Sequence, residues 1–381
     1  MTSVRLNLNS KSVAYISHDS LSEGIGMSQI KPLVIGLAEM GWVVQLVTME
    51  KVQPPKWLKE ELGTAGVHWT ILRFGMRGLL GGFFRVVTLA LRIPKADIYH
   101  CRGDLAALSV ALNKNRKFLW DVRGIWGEQK MVNGSARSNY LMRKIFSTIE
   151  KYVAKRARAV TCLAQALWPI LEERVGELPR VREVIPTCVD TDKFQMRESF
   201  PKSNTLLLSG VFNDFYDLAK TKEVISYLKD SLKFGVIWCR GAESSRRTLD
   251  VGEDEIRTKT QIEMPGEIAN STVGLALCKS SAGVSLAGVM PTKIAEFLAT
   301  GRPVIVSSGM GDLDDLVKKN RIGVVIDDAS EKTFIIEELK NLLIDPEVAK
   351  RCRDVAISHF SMKTAIVRYS LIYEKLIFSK S

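Results

Sequence analysis

A lysine and a glutamate three residues apart, Lys293 and Glu296, form the pair in this sequence best suited to ligand chemistry. Pro291 and Gly301 mark the expected ends of a helix, so the two side chains share one face of its first turns. A helix N-terminus favours anions, and Lys293 adds a full positive charge there. A cation for phosphate beside a carboxylate for sugar hydroxyls suits a nucleotide-sugar site. The same spacing also fits an amphipathic core helix with two solvated charges, and spacing alone leaves both interpretations open.

Two further polar stretches directly follow predicted strands. Gly24 and Gly26 lie in the loop after the first strand, where they would let the backbone approach a phosphate or a sugar. Asp121, Arg123 and Glu128 follow another buried strand, and their side chains could orient sugar hydroxyls or hold a leaving phosphate. Each stretch also has a plainer interpretation. The glycines fit an ordinary tight turn, and Asp121 and Arg123 could simply pair with each other.

Strands alternate with helices along the whole chain, which predicts an α/β protein with doubly wound parallel sheets. A chain of 381 residues is too long for one comfortable core at roughly 150 residues per domain, so we expect two domains. We place the first domain at residues 1–197, the second at 198–362 and a closing helix at 363–381. One strand of the second domain is expected at Thr260–Met264. Ligands of such domains bind at the carboxyl ends of the strands.

Three of these stretches resemble segments of the family 4 glycosyltransferases. Residues 291–305 match the donor-site pattern Pro-Thr-Lys-x-x-Glu-x-Leu-Ala-x-Gly-x-Pro-Val-Ile of that family. Residues 24–29, Gly-Ile-Gly-Met-Ser-Gln, resemble its first loop, and residues 121–126 resemble its Asp-x-Arg-Gly-x-Trp segment. The resemblance implies the GT-B fold, in which two Rossmann-like domains face a cleft and the final helix returns to the N-terminal domain.

The same resemblance implies an activity. The protein would move a sugar from a nucleotide-sugar donor to a glycan or lipid-linked acceptor with retention of configuration, in bacterial surface polysaccharide synthesis. The UDP- or GDP-linked donor is a substrate, so no cofactor is expected, and members usually need no metal. The residues expected to bind the donor are Gly24, Gly26, Lys279, Thr292, Lys293 and Glu296. The residues expected to take part in catalysis are Asp121, Arg123 and Glu128.

The chain also departs from the family pattern. Gly288 stands where many members carry a second glutamate that contacts the donor sugar, which leaves a non-catalytic sugar-nucleotide- or polysaccharide-binding protein of this fold as an alternative. Many relatives carry an Arg and Lys pair that binds the diphosphate. In this chain only Lys220 and Lys222 are close to that position, and we expect them to lie too deep in a helix, so Lys279 becomes a stronger candidate for the diphosphate. Gln29 replaces the third glycine of the dinucleotide fingerprint, which argues against an NAD(P)-dependent oxidoreductase, the other alternative.

Charge points to an anionic partner. Lysine and arginine number 54 against 42 acidic residues, giving a net charge of +12. The segment Arg73–Arg102 has six basic residues and one acidic, and Arg137–Arg158 has seven and one. Aliphatic residues at helical spacing interrupt both segments, so the alternatives are an anionic membrane surface and a core helix with a solvated basic face. Because we expect the basic residues to be interleaved with aliphatic rather than exposed stacking groups, no nucleic-acid partner is expected.

Cysteine usage and the N-terminus suggest a location. Six scattered cysteines without a Cys-x-x-Cys favour buried free thiols in a reducing compartment. The polar start predicts no signal peptide, and no uncharged apolar run reaches ~18 residues. We therefore expect a cytoplasmic protein, with peripheral attachment to the inner face of the membrane left open. The Asp-x-Asp pairs that begin at Asp190 and Asp312 fit turns or helix caps better than a metal site.

Overall fold

Thirteen parallel strands form two sheets in the computed structural model, which describes residues 11–378 apart from 77, 130–135, 211–214, 241–251 and 253. The first sheet consists of β1 (Ser12–Ser17), β2 (Val43–Glu50), β3 (Val67–Arg73), β4 (Ile98–Arg102), β5 (Phe118–Asp121), β6 (Ala159–Cys162) and β7 (Val181–Val184). The second sheet consists of β8 (Thr205–Ser209), β9 (Gly235–Arg240), β10 (Glu255–Thr258), β11 (Val273–Ala276), β12 (Val304–Ser307) and β13 (Gly323–Ile326).

Helices connect the strands and cover the sheets. Those of the first half are α1 (Lys31–Glu39), α2 (Lys56–Thr64), α3 (Gly78–Arg92), α4 (Asp104–Ala111), α5 (Trp126–Gln129), α6 (Ala136–Ala154) and α7 (Leu167–Val175). Those of the second half are α8 (Leu218–Leu232), α9 (Met264–Ala269), α10 (Thr292–Ala299), α11 (Leu313–Asn320), α12 (Lys332–Ile344), α13 (Val348–Phe360) and α14 (Met362–Phe378). A 3₁₀ segment, Ser280–Gly288, precedes α10.

Both sheets have the strand order of a doubly wound domain. The first runs β3-β2-β1-β4-β5-β6-β7 and the second runs β10-β9-β8-β11-β12-β13. The direction of winding reverses between β1 and β4 and again between β8 and β11. Ligands of such sheets bind outside the carboxyl ends of the strands at this switch point. The predicted fold class, with two Rossmann-like doubly wound domains, is confirmed.

The central strands are short apolar runs because helices cover both of their faces. Residues 13–16 of β1 are fully buried, and so are residues 206 and 207 of β8. Val13 pairs with Val44 of β2 on one side and with Ile98 of β4 on the other, so β1 lies in the middle of its sheet. Polar residues therefore begin where the strands end, at the edge that can bind ligands.

The last helix packs on the first half of the chain. α14 lies against α1, and Trp42 Nε1 donates a hydrogen bond of 2.9 Å to Ser370 Oγ. The Tyr373 hydroxyl lies 2.5 Å from Nδ1 of His100, a buried residue of β4. α14 therefore reaches the polar core beneath the strand ends of the first sheet. The domain boundaries placed at residues 197 and 362 remain predictions.

One predicted strand, Thr260–Met264, is wrong. β10 ends at Thr258, and the Thr260 carbonyl oxygen then accepts hydrogen bonds from the backbone N–H groups of Glu263 and Met264. This turn leads directly into α9. The apolar alternation of Ile262 and Met264 mimics a strand, but Ile262 is 92% exposed and packs against no sheet.

Candidate functional site

α10 is the helix that carries Lys293 and Glu296. It begins at Thr292, one residue later than predicted, because Pro291 has an extended ψ of 130° and lies just outside the helix. Gly301 follows the helix end with a φ of +76°, a conformation that favours glycine. The helix is therefore bounded by the residues that suggested it. Lys293 is buried and Glu296 is half-buried.

Lys293 lies at the switch point of the second sheet. Its Nζ is 4.1 Å from the centroid of the Tyr216 ring. Gly210, the residue directly after β8, has a φ of +97°, and a β-carbon there would lie 3.5 Å from that Nζ. The ammonium group therefore lies beside bare backbone at the carboxyl end of β8, where a parallel sheet binds anionic ligands. Residues 211–214 of the adjoining loop lie outside the described part of the chain.

Two other predicted donor residues border the same end of the sheet. Lys279 follows β11, and its backbone N–H donates to the Phe215 carbonyl oxygen at 3.1 Å. Tyr216 forms an antiparallel bridge with Cys278, so the segments after β8 and β11 run side by side. Thr292 is the half-buried first residue of α10. The structure thus brings these residues to one region together with Lys293.

The Glu296 carboxyl has an unusual protonation equilibrium. Burial raises its pKa to about 7, and the positive charge of Lys293 opposes this rise. Among the described residues, no hydrogen bond to this carboxyl contributes to its pKa. The group therefore exchanges its proton close to neutral pH, and its oxygens remain available to ligand hydroxyls.

The two glycines of the first loop have different surroundings. Gly26 begins a π-helical turn, Gly26–Ile30, and a β-carbon there would lie 2.3 Å from the Ser20 carbonyl oxygen. Close packing within the loop therefore requires glycine at position 26. Gly24 is exposed, and its carbonyl oxygen accepts a hydrogen bond of 2.8 Å from Gln261 Nε2 in the second half of the chain. The loop thus borders the second sheet's domain at Gly24.

Glu50 ends β2 at the position where an acidic residue would bind the ribose of a dinucleotide. Here it holds the glycine loop instead. Its carboxylate accepts hydrogen bonds from the Leu21 N–H at 2.7 Å and the Ser22 hydroxyl at 2.9 Å, and from the Ser20 and Thr48 hydroxyls. With both oxygens engaged, Glu50 fixes the loop and does not support the oxidoreductase alternative.

Asp121 lies beneath the cleft and not on its surface. It is buried at the end of β5, where His100 Nε2 lies 3.3 Å from Oδ2. Thr161 Oγ1 and the Tyr369 hydroxyl donate to Oδ1 at 3.0 and 3.4 Å. Burial alone would raise the pKa of Asp121, but Arg123 and His100 outweigh it and hold the pKa well below its usual range. Asp121 is therefore an ionised hub that joins β4, β6 and α14.

Arg123 pairs with Asp121, as the plainer interpretation of the sequence proposed. The distance from Arg123 Nη1 to Asp121 Oδ1 is 3.6 Å. The Arg123 Nε is buried and has no hydrogen-bond partner among the described residues. A buried guanidinium donor of this kind can still be used by a bound ligand.

Glu128 is held by two arginines of the first domain. Its carboxylate accepts from Arg143 Nε at 2.9 Å and from Arg174 Nη1 at 3.0 Å. Burial would raise its pKa, but the hydrogen bonds from Arg143 and Arg174 outweigh this and lower it. Glu128 therefore anchors α5 to α6 and α7, and the structure does not bring its carboxylate to the donor residues.

A polar group lies at the switch point of the first sheet, and the sequence indicated it only through His18, a minor candidate on a cleft loop. Both ring nitrogens of His18, directly after β1, are buried without a hydrogen-bond partner among the described residues. Burial and then Arg85 lower the pKa of His18 to about 4, so the ring is neutral at pH 7. Next to it, Asp19 accepts a hydrogen bond of 3.0 Å from Arg102 Nε of β4. His18 alone had a signal in the sequence, as the histidine of a cleft loop.

The two domains touch at two of the predicted stretches. A β-carbon at Gly288 would lie 3.2 Å from the Gly124 Cα, so the two backbones are close and would have to shift slightly to admit a side chain. Asp312 Oδ2 and Oδ1 accept hydrogen bonds from the backbone N–H groups of Gln165 and Ala166 at 2.6 and 3.0 Å. Asp312 thus satisfies N–H groups at the start of α7 across the domain contact. Asp312, the first residue of the second Asp-x-Asp pair, therefore has a structural role.

The remaining sequence features can be located as well. All six cysteines are buried, unpaired thiols. Within the described part of the chain, no group of three or more His, Cys, Asp and Glu side chains could hold a metal ion. None of the helices that the structure describes is long and apolar enough to cross a membrane.

Comparisons with known proteins found similar folds but no similar sequence. No protein-family model matches the chain, and no curated protein matches it in sequence. The solved structure of sucrose-phosphate synthase from Thermosynechococcus elongatus matches with a TM-score of 0.68 at 13% identity, over 96% of this chain and 99% of that one. HepE from Anabaena, solved in complex with UDP and glucose, matches with a TM-score of 0.65 at 12% identity, over 95% and 99%.

A third solved structure is similar over its whole length. WaaG, described as a glycosyltransferase involved in lipopolysaccharide biosynthesis, matches with a TM-score of 0.60 at 12% identity, over 97% of this chain and 100% of that one. At such low identity these likenesses establish the architecture only. The chain has the two-domain GT-B fold, as the sequence predicted.

Proposed function

We propose that the protein is a glycosyltransferase that uses a nucleotide sugar as donor. The observation that carries this proposal is the pairing of Lys293 with Glu296 at the switch point of the second sheet. The Lys293 ammonium lies beside Gly210 backbone at the end of β8, and Glu296 offers a carboxylate with a pKa of about 7 one turn deeper in α10. A diphosphate and a ribose carry the complementary groups.

The donor would be held by the second domain. Lys293 would neutralise the diphosphate, with Lys279 and the Thr292 hydroxyl beside it. Charge stabilisation of a departing nucleoside diphosphate is the main demand of the reaction, and a buried cation meets that demand better than an exposed one. Glu296 would accept hydrogen bonds from ribose hydroxyls. Gly24 would bring the first loop to the donor from the other side of the cleft, and Gly26 gives that loop its shape.

The first domain would bind the acceptor and complete the site. We assign to Arg123 a contact with donor phosphate or sugar, because its Nε is buried and unused among the described residues. Asp121 would hold Arg123 in place. Glu128, bound by two arginines, would hold α5 in place behind the loop that carries Arg123. These roles let the enzyme orient reacting groups before the bond to the sugar breaks.

The finer features of the proposal rest on resemblance. Retention of configuration and a hexosyl or related donor come from the family 4 pattern at residues 291–305. HepE was solved with UDP-glucose, which supports a nucleotide-sugar donor here, UDP- or GDP-linked. WaaG is involved in lipopolysaccharide biosynthesis, which supports a glycan or lipid-linked acceptor and a role in surface polysaccharide synthesis. The similar structures favour neither the non-catalytic nor the oxidoreductase alternative.

A panel of nucleotide sugars tests the proposal. Binding should raise the melting temperature of the purified protein with one base and sugar only, because a ligand stabilises the state that binds it. The selected donor should then release its nucleoside diphosphate when an acceptor extract is added, and Glu296→Gln should abolish the release. Binding without release under any acceptor would favour the non-catalytic protein. Stabilisation by NAD(P)H and by no nucleotide sugar would refute the proposal.

A further inference from the structure

The helix α3 exposes an apolar face that nothing in the described structure covers. Its inward face carries the buried residues Gly81, Arg85, Val86 and Leu89. Its outward face carries Leu80, Phe83, Phe84 and Leu91, which are 72%, 64%, 55% and 78% exposed. Leu79, one residue before this face, is also exposed, and so is Met76 just before the helix.

A helix that is apolar on all sides belongs in an apolar environment on all sides. Single exposed apolar residues are normal on a protein surface, but large side chains clustered at helical spacing mark an interaction site. Leu80, Phe83 and Phe84 occupy positions i, i+3 and i+4, and Leu91 continues the same stripe. The stripe is therefore an unpartnered face of more than two turns.

Cations lie at or beyond both ends of this helix. From Arg73 to Ala96 the sequence contains no acidic residue. Arg73, Arg92 and Lys95 are exposed, and Arg73 lines a shallow depression of about 570 Å³ together with Lys51 and Phe74. A surface with exposed aromatic and aliphatic groups beside cations complements lipid acyl chains and anionic headgroups at once.

The position of α3 in the fold extends this surface. A helix that follows a parallel strand begins at the carboxyl edge of the sheet, so the first turns of α3 and α6 lie at the same edge as the cleft. α4 packs against both α3 and α6. At the start of α6, Tyr140 and Leu141 are 69% and 51% exposed, and Lys144 is exposed beside them. The apolar and basic features thus recur along one side of the first domain.

We propose that α3 lays its outward face into the interfacial layer of an anionic phospholipid bilayer, with Arg73, Arg92 and Lys95 on the headgroups. A second copy of the chain fits less well, because two α3 faces would bring these like charges together without acidic partners. Bound in this way, the protein would lie on the membrane through the side of its first domain that α3 covers. This inference does not depend on the sugar-transfer reaction.

Vesicle co-sedimentation tests the proposal with the full-length protein and no nucleotide or acceptor. The parent should bind vesicles of phosphatidylglycerol and phosphatidylcholine, and binding should weaken with added salt and vanish on phosphatidylcholine alone. Phe83→Ser/Phe84→Ser should weaken partition on the order of 100-fold, from the apolar area withdrawn from lipid. Arg73→Gln/Arg92→Gln should weaken it by about five-fold per charge removed.

Two controls of the same chemistry accompany these variants. Phe334→Ser removes an exposed aromatic group from α12 in the second domain, and Lys340→Gln removes an exposed charge from the same helix. Both should bind vesicles like the parent. Since all substituted residues are exposed, unchanged melting temperatures should show that each variant is folded.

Three results would overturn the proposal. The first is equal binding of the parent, the Phe83/Phe84 variant and the Phe334 variant, and the second is no binding of the parent at low salt. The third is a stable dimer of the parent in solution that becomes monomeric in the Phe83/Phe84 variant, which would assign the face to a second copy. If the parent binds vesicles but transfers no sugar, only the proposed function is contradicted.

Discussion

Replacing Lys293 with alanine should weaken nucleoside diphosphate binding without unfolding the protein. Lys293 is buried, its Nζ lies over the Tyr216 ring at 4.1 Å, and bare backbone at Gly210 adjoins it. At this buried position, little water would screen the charge of the ammonium group from a bound anion. Loss of one hydrogen bond to a charged group costs about 1.5–3 kcal/mol, which corresponds to roughly a 10- to 150-fold increase in Kd.

Isothermal titration with UDP and with GDP measures this change. Lys293→Arg keeps the charge and should recover part of the affinity, while Lys318→Ala removes an exposed lysine of α11 and should leave Kd unchanged. Because Lys293 also lowers the pKa of Glu296, the titration should be run near pH 8, where Glu296 is ionised in the parent. Equal affinity of Lys293→Ala and the parent for every nucleoside diphosphate would refute the phosphate role of this lysine.

Three further predictions concern Glu296 and the domain contact. Burial raises the pKa of Glu296 from 4.5 to about 7, so the folded protein keeps a proton that the unfolded chain has lost between these values, and stability falls as pH rises through them. Glu296→Gln should therefore be more stable than the parent by about 3 kcal/mol near pH 8, and equally stable at about pH 4 and below, in urea unfolding; a pH-independent difference would contradict this. Asp312→Ala removes two hydrogen bonds across the domain contact. It should lower the free energy of unfolding by about 1 kcal/mol and increase the radius of gyration in small-angle scattering. Asp315→Ala, in the α11 helix that follows Asp312, should change neither quantity. Gly288→Glu, although it restores a family glutamate, should lower activity at least ~10-fold, since the new side chain would meet the Gly124 backbone; full activity would show that the domains open there without cost.

The architecture could be predicted because periodic patterns encode it. Alternating strands and helices specify a doubly wound domain, and the first strand and the helix that ends before Gly301 could be predicted from apolar runs and turn residues alone. The strand predicted at Thr260–Met264 failed for a physical reason. Alternation shows which residues are apolar, but whether Ile262 meets a sheet depends on tertiary structure that no local pattern records.

The site could be predicted only in part. Lys293 and Glu296 were found because they lie on one helix, where spacing determines which side chains are neighbours. Asp121 and Glu128 carried equally strong signals, yet their partners, such as His100 and Arg174, come from distant segments and leave them occupied in the core. Contacts of this kind depend on how the helices pack around the sheet. A sequence motif therefore predicts where a loop lies better than it predicts the function of each side chain in it.

A structure of the protein with a bound nucleoside diphosphate is the most direct test of the central claim. We predict phosphate oxygens within hydrogen-bonding distance of Lys293 Nζ and beside the Gly210 backbone, with ribose hydroxyls on the Glu296 carboxylate. A nucleotide bound at the strand ends of the first sheet, near His18 and Arg102, with an empty surface around α10, would contradict the account.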